Sequence, residues 1–301
     1  MSINDTAKEI LIKTVKKIEG AYAPSTIRAY RSNFECFIKY CDEKNVTALP
    51  AHPEIVAQFI RKISDGHLKS SSIKIAEASI AAIHNLNSIS DPTQYPDVKI
   101  EMRRMYRTLG RYARQAYGIN KDLLYKMVEA TDNSLRGIRD KAIILVAYDS
   151  LCRRSELVSL EIQDVLIDEK NKGVKLRLRK SKTDPHATGR SLFLNTITQE
   201  ALKDWIAKSE IQSGKLFRAI TRFGKIKEDL HAAEINRTYK RLAYLSKAES
   251  QVITEISGHS MRVGAAQDLM KSGASLPIIM NRGRWSKTDT VMRYIESFKD
   301  Q

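Results

Sequence analysis

The sequence predicts a mainly α-helical protein with a small antiparallel β-sheet in the second of two domains. The chain has 301 residues and is 42% hydrophobic, enough to bury two cores of medium size. Apolar residues recur at helical spacing through the first 110 residues, whereas apolar and basic residues alternate over 174–179. We therefore expect a helical domain over 1–110, a linker over 111–118 and a second domain over 119–301.

Proline and serine mark the helix starts of the first domain. "APSTIRAYRSNFECFIKYCDEKN" opens with Pro-Ser-Thr and places Phe34, Phe37 and Cys41 about one helical turn apart. "HPEIVAQFIRKIS" and "SSSIKIAEASIAAIHNLN" repeat the pattern, and a basic helix begins at "PDVKIEMRRMYRTLG". From Arg107 to Gly118 the apolar spacing is lost, which places the linker there.

The second domain begins with a long apolar helix in "RDKAIILVAYDSLC", followed by a helix led by Ser155 and Glu156. Val174, Leu176 and Leu178 alternate with basic residues, which predicts a small antiparallel sheet with turns at 168–173 and 183–189. Helices resume in "TQEALKDWIAKSE", "AAEINRTYKRLAYLS", "SGHSMRVGAAQDLM" and "TDTVMRYIESF".

The charge of the chain indicates a polyanionic partner. Its formal net charge is +16, and residues 1–110 carry 16 Lys and Arg against 12 Asp and Glu, the remainder 35 against 23. Such a chain usually meets nucleic acid, although a solvated basic surface is the alternative. No long apolar run and no signal peptide are evident, so we expect a soluble, cytoplasmic protein without a membrane partner. Three scattered cysteines indicate neither disulfides nor zinc.

Two pairs of residues are candidates for a functional site. His259 and Arg262 lie three residues apart at an expected helix start, where both can face an anion. A helix-capping His with a solvated Arg is the alternative. Arg153 lies between apolar segments, where a buried Arg needs a partner, and Glu156 could simply form its salt bridge.

A lysine and a tyrosine complete the candidates. Lys182 lies in "RKSKTDPH" at a hairpin, where a lysine is usually solvated, as neighbouring Lys180 illustrates. Tyr294 lies beside the apolar stripe of Val291, Ile295 and Phe298, where a tyrosine is more often part of the core.

The order and spacing of these segments match a known pattern. "AYDSLCRRSELVSL", "RKSKTDPHATGRSLFL", "SGHSMRVGAAQDLMKSGASLPIIMNRGRW" and "TVMRYIE" resemble the tyrosine recombinase (phage integrase) family, most closely its Cre-type members. The likeness covers residues 139–296 with specific motifs and, more diffusely, the helical domain from about 22 onward. It implies a two-domain DNA clamp, in which a core-binding domain precedes the catalytic domain.

The resemblance implies a role for each candidate. Arg153 matches the first catalytic arginine and Glu156 the acidic residue one turn later. Lys182 matches the hairpin lysine, with Lys180 as the alternative, and His259 and Arg262 match the His-x-x-Arg pair. Trp285 matches a position that is histidine in other branches, and Tyr294 matches the nucleophile.

The implied reaction is site-specific recombination without metal, ATP or any other cofactor. Tyr294 would attack a DNA phosphodiester, giving a 3′-phosphotyrosyl enzyme that is resolved through a Holliday junction in a homotetramer on inverted-repeat sites. Arginine forks suit the negative charge that builds on the phosphate oxygens. The family implies a nucleoid-associated protein of bacterial, phage or plasmid origin.

Basic and polar residues on several helices are the candidates for DNA contact. Those expected to touch phosphates or bases are Arg28, Arg31, Ser71, Lys74, Arg103, Arg104, Arg237, Lys240 and Arg241.

Two alternatives stay open at this stage. "AAQDLMKSGASLPIIMNRG" also has the form of a helix-turn-helix, with Gly273 at the turn, which would suit a DNA-binding protein without activity. A type IB topoisomerase or telomere resolvase would use similar chemistry. Seven residues follow Tyr294, where Cre-type relatives continue into a helix that docks on a neighbouring subunit, so the way protomers would join is open.

Overall fold

A computed structural model describes residues 3–111, 115–168, 173–179 and 189–296. The chain divides into two compact units, residues 1–114 and 115–301. Both are built mainly from α-helices, and a three-stranded antiparallel sheet lies in the second unit. The predicted fold class, mainly α with a small antiparallel sheet, is therefore confirmed.

The first unit is a group of helices around one apolar core. Its helices are α1 (Asp5–Lys17), α2 (Pro24–Lys44), α3 (Pro53–Ser64), α4 (Ser70–Leu86) and α5 (Pro96–Leu109). Proline occupies the first turn of α2, α3 and α5, where its missing N–H costs no helical hydrogen bond. Phe34, Phe37 and Cys41 of α2 are fully buried, as their spacing predicts.

The second unit combines helices with the sheet. Its elements are α6 (Lys121–Glu129), α7 (Leu135–Ser150), α8 (Arg154–Ser159), β1 (Val165–Asp168), β2 (Gly173–Leu178), β3 (Arg190–Phe193), α9 (Thr196–Ser209), α10 (Ala232–Leu245), α11 (Ser250–Glu255), α12 (Ser260–Lys271), α13 (Leu276–Gly283) and α14 (Thr288–Glu296). α7 is buried on nearly all sides, which explains its continuous apolar sequence.

The sheet follows the alternation read from the sequence. β2 lies in the centre and pairs antiparallel with both neighbours, placing Leu176 opposite Val165 on β1 and Leu192 on β3. Val174, Leu176 and Leu178 face the core, so the basic residues between them face outward. The expected turn at 183–189 lies almost wholly outside the described residues.

The residues that enter the second unit run beside α12. The Tyr117 N–H donates to the Glu255 carbonyl (3.3 Å) and the Ile119 N–H to the Ser260 carbonyl (3.0 Å). Gly264 of α12 permits this approach, because a Cβ there would lie 1.8 Å from the Ile119 carbonyl oxygen. The glycine thus allows the start of the second unit to lie against the helix that carries Arg262.

Substitution of Gly264 by alanine should destabilise the second unit. Alanine favours a helix interior by about 1 kcal/mol, but overpacking against backbone costs about 1–3 kcal/mol, so the clash should dominate. The Tm of thermal unfolding should fall. Gly66→Ala is the control, since a Cβ there would lie 3.5 Å from the Ile63 carbonyl oxygen, an ordinary van der Waals contact. An unchanged Tm for Gly264→Ala would contradict the close packing of Gly264 against the Ile119 carbonyl.

No helix within the described ranges has the length and apolar character that a membrane crossing requires.

Candidate active site

The junction between α7 and α8 positions Arg153 and Glu156. α7 ends where Leu151 adopts the left-handed conformation (φ 50°), and Arg153 directly precedes α8. Glu156, at the third position of α8, accepts from the Arg153 backbone N–H (2.9 Å) and from Arg153 Nη1 (2.6 Å). The salt bridge considered from the sequence is therefore formed, and it fixes the direction of the Arg153 side chain.

Glu156 is a buried carboxylate between two arginines. Its side chain is 5% exposed, and Arg284 Nη2 donates to Oε2 at 2.9 Å. Burial raises the pKa of Glu156, but the nearby charge of Arg284 and the bonds from Arg153 outweigh it and lower that pKa overall. The carboxylate is thus ionised at neutral pH and neutralises part of the arginine charge around it.

Arg262 is enclosed by the protein. Its side chain donates from Nη1 to the Leu151 carbonyl and from Nη2 to the Gly283 carbonyl (2.8 Å), and its guanidinium lies 4.7 Å from the centre of the Trp285 ring. Arg262 is 2% exposed, so a solvated arginine, the alternative weighed from the sequence, is wrong. Five N–H groups are available on a guanidinium, and these two bonds use two of them.

The electrostatic setting of Arg262 is strongly positive. Burial, together with the neighbouring guanidinium groups of Arg153 and Arg284, lowers the pKa of Arg262 to about 10. It therefore stays protonated at neutral pH. A cluster of cations with limited access to water favours binding of an anion, because an anion relieves their mutual repulsion.

His259 stands immediately before α12. Its backbone N–H donates to Ser257 Oγ (3.1 Å). Among the residues that the structure describes, its side chain makes no hydrogen bond that caps α12. Partial desolvation of the ring and the charges of Arg262, Arg154 and Arg153 lower the pKa of His259. Its imidazole is therefore neutral at pH 7 and able to accept a proton.

Trp285 and Tyr294 pack together beside the arginines. Their ring centres are 5.6 Å apart with an interplanar angle of 64°. Trp285 is 8% exposed, whereas Tyr294 on α14 is half-buried. The Tyr294 backbone carbonyl accepts from Gln267 Nε2 of α12 at 3.0 Å, which ties the end of α14 to the helix that carries Arg262.

Arg284 also belongs to this cluster, although no motif in the sequence predicted it. It is 8% exposed and donates to the carbonyls of Ser150 (2.9 Å) and Leu151 (3.1 Å) as well as to Glu156. The available signal was an arginine directly before Trp285, where a charged residue among apolar ones needs buried partners.

Lys182 and its alternative Lys180 lie outside the described residues. Arg179, directly after β2, donates from Nε to Asp164 Oδ1 and from Nη2 to Glu161 Oε2, both at 2.6 Å. These bonds neutralise one of the basic side chains at the base of the hairpin.

In the described part of the chain, no group of three or more His, Cys, Asp or Glu side chains is arranged to hold a metal ion.

Comparison with known proteins decides the family. Residues 119–301 match the sequence model of the phage integrase family, and this match covers more than half of the chain. The chain belongs to the phage integrase family. The resemblance in its motifs is thereby confirmed, and the chain is a tyrosine recombinase, hence an enzyme of site-specific DNA recombination. Neither the helix-turn-helix protein nor the topoisomerase is favoured.

Similar members of the phage integrase family align over most of their length. The chain is 28% identical to an integrase/recombinase XerD homolog of Selenomonas ruminantium, over 97% of this chain and 88% of the relative. It is 24% identical to the recombinase Cre of Escherichia phage P1, over 93% and 86% respectively.

Solved structures of phage integrase family members share the fold. The XerH recombinase in a post-cleavage complex with palindromic difH substrate matches with a TM-score of 0.70 at 16% identity, covering 96% of this chain and 81% of that one. A lambda integrase dimer bound to a COC′ core site matches with a TM-score of 0.60 at 13% identity, over 96% and 94%.

The residues predicted to touch DNA are spread over four helices of this phage integrase family member. Arg28, Arg31, Ser71, Lys74, Arg103, Arg104 and Arg237 are exposed on α2, α4, α5 and α10, and Lys240 and Arg241 of α10 are half-buried.

Several of these cations already have carboxylate partners. Arg31 pairs with Glu35 (2.9 Å), and Arg104 and Arg241 pair with the buried carboxylates Glu101 and Asp140. The last two arginines compensate buried charges, so a phosphate would have to share them with Glu101 and Asp140.

Proposed function

We propose that the chain cleaves and rejoins DNA through a 3′-phosphotyrosyl intermediate. One observation carries this proposal. At the starts of α8 and α12 and beside α14, the second unit brings together the candidate side chains Arg153, His259, Arg262, Trp285 and Tyr294. Two arginines can hold the nonbridging oxygens of one phosphate, and a tyrosine and a neutral imidazole lie in the same cluster.

In the proposed step, Tyr294 Oη forms a bond to phosphorus and the bond from phosphorus to the 5′ oxygen breaks. His259 accepts the tyrosine proton, since its imidazole is neutral at pH 7. Lys182, with Lys180 as the alternative, donates a proton to the departing 5′ oxygen. The phosphotyrosyl bond conserves the energy of the original diester, so a 5′ hydroxyl of another strand can reverse the step without ATP.

The remaining site residues support the arginines. Glu156 directs Arg153, and the Trp285 ring forms one wall of the site against Arg262. We propose that the Trp285 indole N–H donates to a phosphate oxygen, a bond that suits a donor-only group.

A second part of the proposal concerns DNA binding. Residues 1–110 would form the core-binding domain and 119–301 the catalytic domain, joined by the linker 111–118. The nine predicted contact residues would bind phosphates or bases on an inverted-repeat site, and four protomers would exchange strands through a Holliday junction. The palindromic substrate of the XerH complex supports an inverted repeat. Because binding rests on phosphate contacts, affinity should fall steeply with salt.

The pH dependence of cleavage tests the proposed base. Since the pKa of His259 is lowered, neutral imidazole persists below the ordinary pKa of about 6.5, and cleavage should be lost only as the pH falls through the lowered value. Arg154→Gln removes one of the charges that lower this pKa, so the acid limb should move to higher pH. Single-turnover cleavage at saturating protein measures both profiles.

A charge-matched control separates this effect from general electrostatics. Lys208→Gln removes a positive charge from α9, outside the site, and should leave the acid limb in place. If Arg154→Gln leaves the limb unchanged, or moves it to lower pH, His259 is not the group that titrates.

The inverted-repeat target of the proposed function is tested by selection of bound duplexes from a random DNA library, followed by sequencing. Two inverted arms around a short spacer would support paired protomers facing a strand-exchange region. Enrichment of a single uninverted site, or of none, would contradict recombination at inverted repeats.

A further inference from the structure

Arg284 occupies a backbone position that favours glycine. It follows the last residue of α13 with φ 56°, in the left-handed region, where helices most often place glycine. A side chain with a Cβ is disfavoured in this conformation, and a buried guanidinium is costly unless it is well paired. An arginine at this point is therefore explained by what its side chain contacts.

Both terminal nitrogens of the Arg284 side chain bond the junction between α7 and α8, while the buried Nε makes no hydrogen bond among the described residues. Nη1 donates to the Ser150 carbonyl (2.9 Å), and Nη2 donates to the Leu151 carbonyl (3.1 Å) and to Glu156 Oε2 (2.9 Å). The two carbonyls stand at the carboxyl end of α7, where helical partners are missing and the helix dipole favours a cation. Arg284 thus stabilises the irregular segment that leads to Arg153.

Glu156 connects Arg284 to Arg153. One carboxylate oxygen accepts from Arg284 and from the Arg153 backbone N–H, and the other accepts from Arg153 Nη1 at 2.6 Å. Because the same buried carboxylate binds both arginines, the orientation of the Arg153 side chain depends on where Arg284 holds Glu156.

Arg284 also belongs to the turn that carries the other half of the site. It lies between Gly283, whose carbonyl accepts from Arg262, and Trp285, whose ring packs against Tyr294. The Leu151 carbonyl accepts from both Arg262 and Arg284. One side chain therefore joins the segment bearing Arg153 to the turn that leads into α14.

We propose that Arg284 is a positioning residue that sets Arg153 relative to Trp285 and Tyr294. The inference rests on the proposed function, because positioning has a consequence for the rate only if these groups act on a phosphate. Arg284 is buried against protein carbonyls and Glu156, so it acts through Arg153 and the turn. A residue that only stabilised the fold would change the Tm without changing the cleavage rate of folded molecules.

The test compares Arg284→Gln and Arg284→Lys with the control Arg282→Gln in the full chain. Arg282 is an exposed arginine two residues away that donates to the Asp149 carbonyl at 3.4 Å, so its variant removes the same charge and one weak bond to the end of α7 without touching Glu156. For each protein, thermal unfolding, DNA affinity and the single-turnover rate of covalent adduct formation are measured on a duplex selected by the wild-type chain.

Arg284→Gln should form the adduct about 100-fold more slowly, with DNA affinity nearly unchanged, because a small displacement of a reacting group has an effect of this order. Arg284→Lys keeps the charge but not the fork, so it should fold and recover part of the rate. Arg282→Gln should behave as wild type.

A double-mutant cycle with Glu156→Gln separates positioning from stability. If Arg284 acts through Glu156, removing Arg284 from the Glu156→Gln protein should slow the adduct much less than removing it from wild type. Fully additive rate effects would overturn the link through Glu156.

The outcomes distinguish the two proposals. A folded Arg284→Gln or Arg284→Lys protein that forms the adduct at the wild-type rate would overturn the positioning role and leave the proposed function standing. If Arg284→Gln does not fold, Arg284→Lys decides: a reduced rate supports the role of the fork. A wild-type chain that forms no adduct on its selected DNA would overturn the proposed function and the positioning role with it.

Discussion

Replacement of Tyr294 by phenylalanine should abolish the covalent protein–DNA adduct. The substitution removes one oxygen and keeps the ring, so the contact with Trp285 at 5.6 Å and the packing of α14 should persist. Affinity for DNA should remain nearly unchanged, because the nucleophile contributes to bond formation and little to binding. Adducts resolved on denaturing gels and equilibrium binding measured on the same duplex check both parts.

A tyrosine elsewhere in the second unit provides the control. Tyr125 on α6 lies outside the site, with the Lys121 ammonium 5.8 Å from the centre of its ring. Tyr125→Phe should therefore form the adduct at the wild-type rate. Persistence of the adduct in Tyr294→Phe would mean that another side chain is the nucleophile.

Replacement of Arg262 by lysine should produce the second-largest loss of cleavage rate. Lysine keeps a charge but cannot bond the Leu151 and Gly283 carbonyls and a phosphate together. Loss of one donor to the charge that develops in the transition state typically lowers the rate by about 10²–10³-fold. A buried carbonyl left unsatisfied costs about 1–3 kcal/mol, so the Tm should also fall. Single-turnover cleavage and thermal unfolding measure the two effects.

Arg139→Lys separates catalysis from stability. Arg139 is another buried arginine of the second unit, with Asp140 and the Arg218 carbonyl as partners, and it lies outside the site. Its replacement should lower the Tm while leaving the cleavage rate of folded protein unchanged. Equal rate losses in the two variants would mean that Arg262 acts through the fold alone.

Much of the fold was predictable because local patterns agree with their tertiary setting. Proline at helix starts and the alternation of Val174, Leu176 and Leu178 determine elements that the structure confirms. These patterns did not predict α1, α6 or α11. α11 has six residues and only Val252 and Ile253 pack, half-buried, against the core, so its apolar pattern is too short to predict a helix.

The sequence predicted several residues that the structure brings together, and the Arg153–Glu156 ion pair, but it did not predict the other contacts of the candidate site. The motifs place Arg153, His259, Arg262 and Tyr294 in order along the chain, but spacing alone cannot tell whether an arginine is solvated. Arg262 is buried because α12 packs between the end of α7 and the turn before α14, a long-range arrangement. Arg284 escaped notice for the same reason, since its partners lie more than a hundred residues earlier in the chain.

Peptide mapping by mass spectrometry of the adduct formed on a selected duplex is the most direct test of the account. A nick in the cleaved strand, just 3′ of the cleavage point, would let the short fragment with the free 5′ hydroxyl dissociate, which would trap the intermediate. We predict a nucleotide attached through its 3′ phosphate to Tyr294. Attachment to any other residue, or through a 5′ phosphate, would contradict the proposed chemistry.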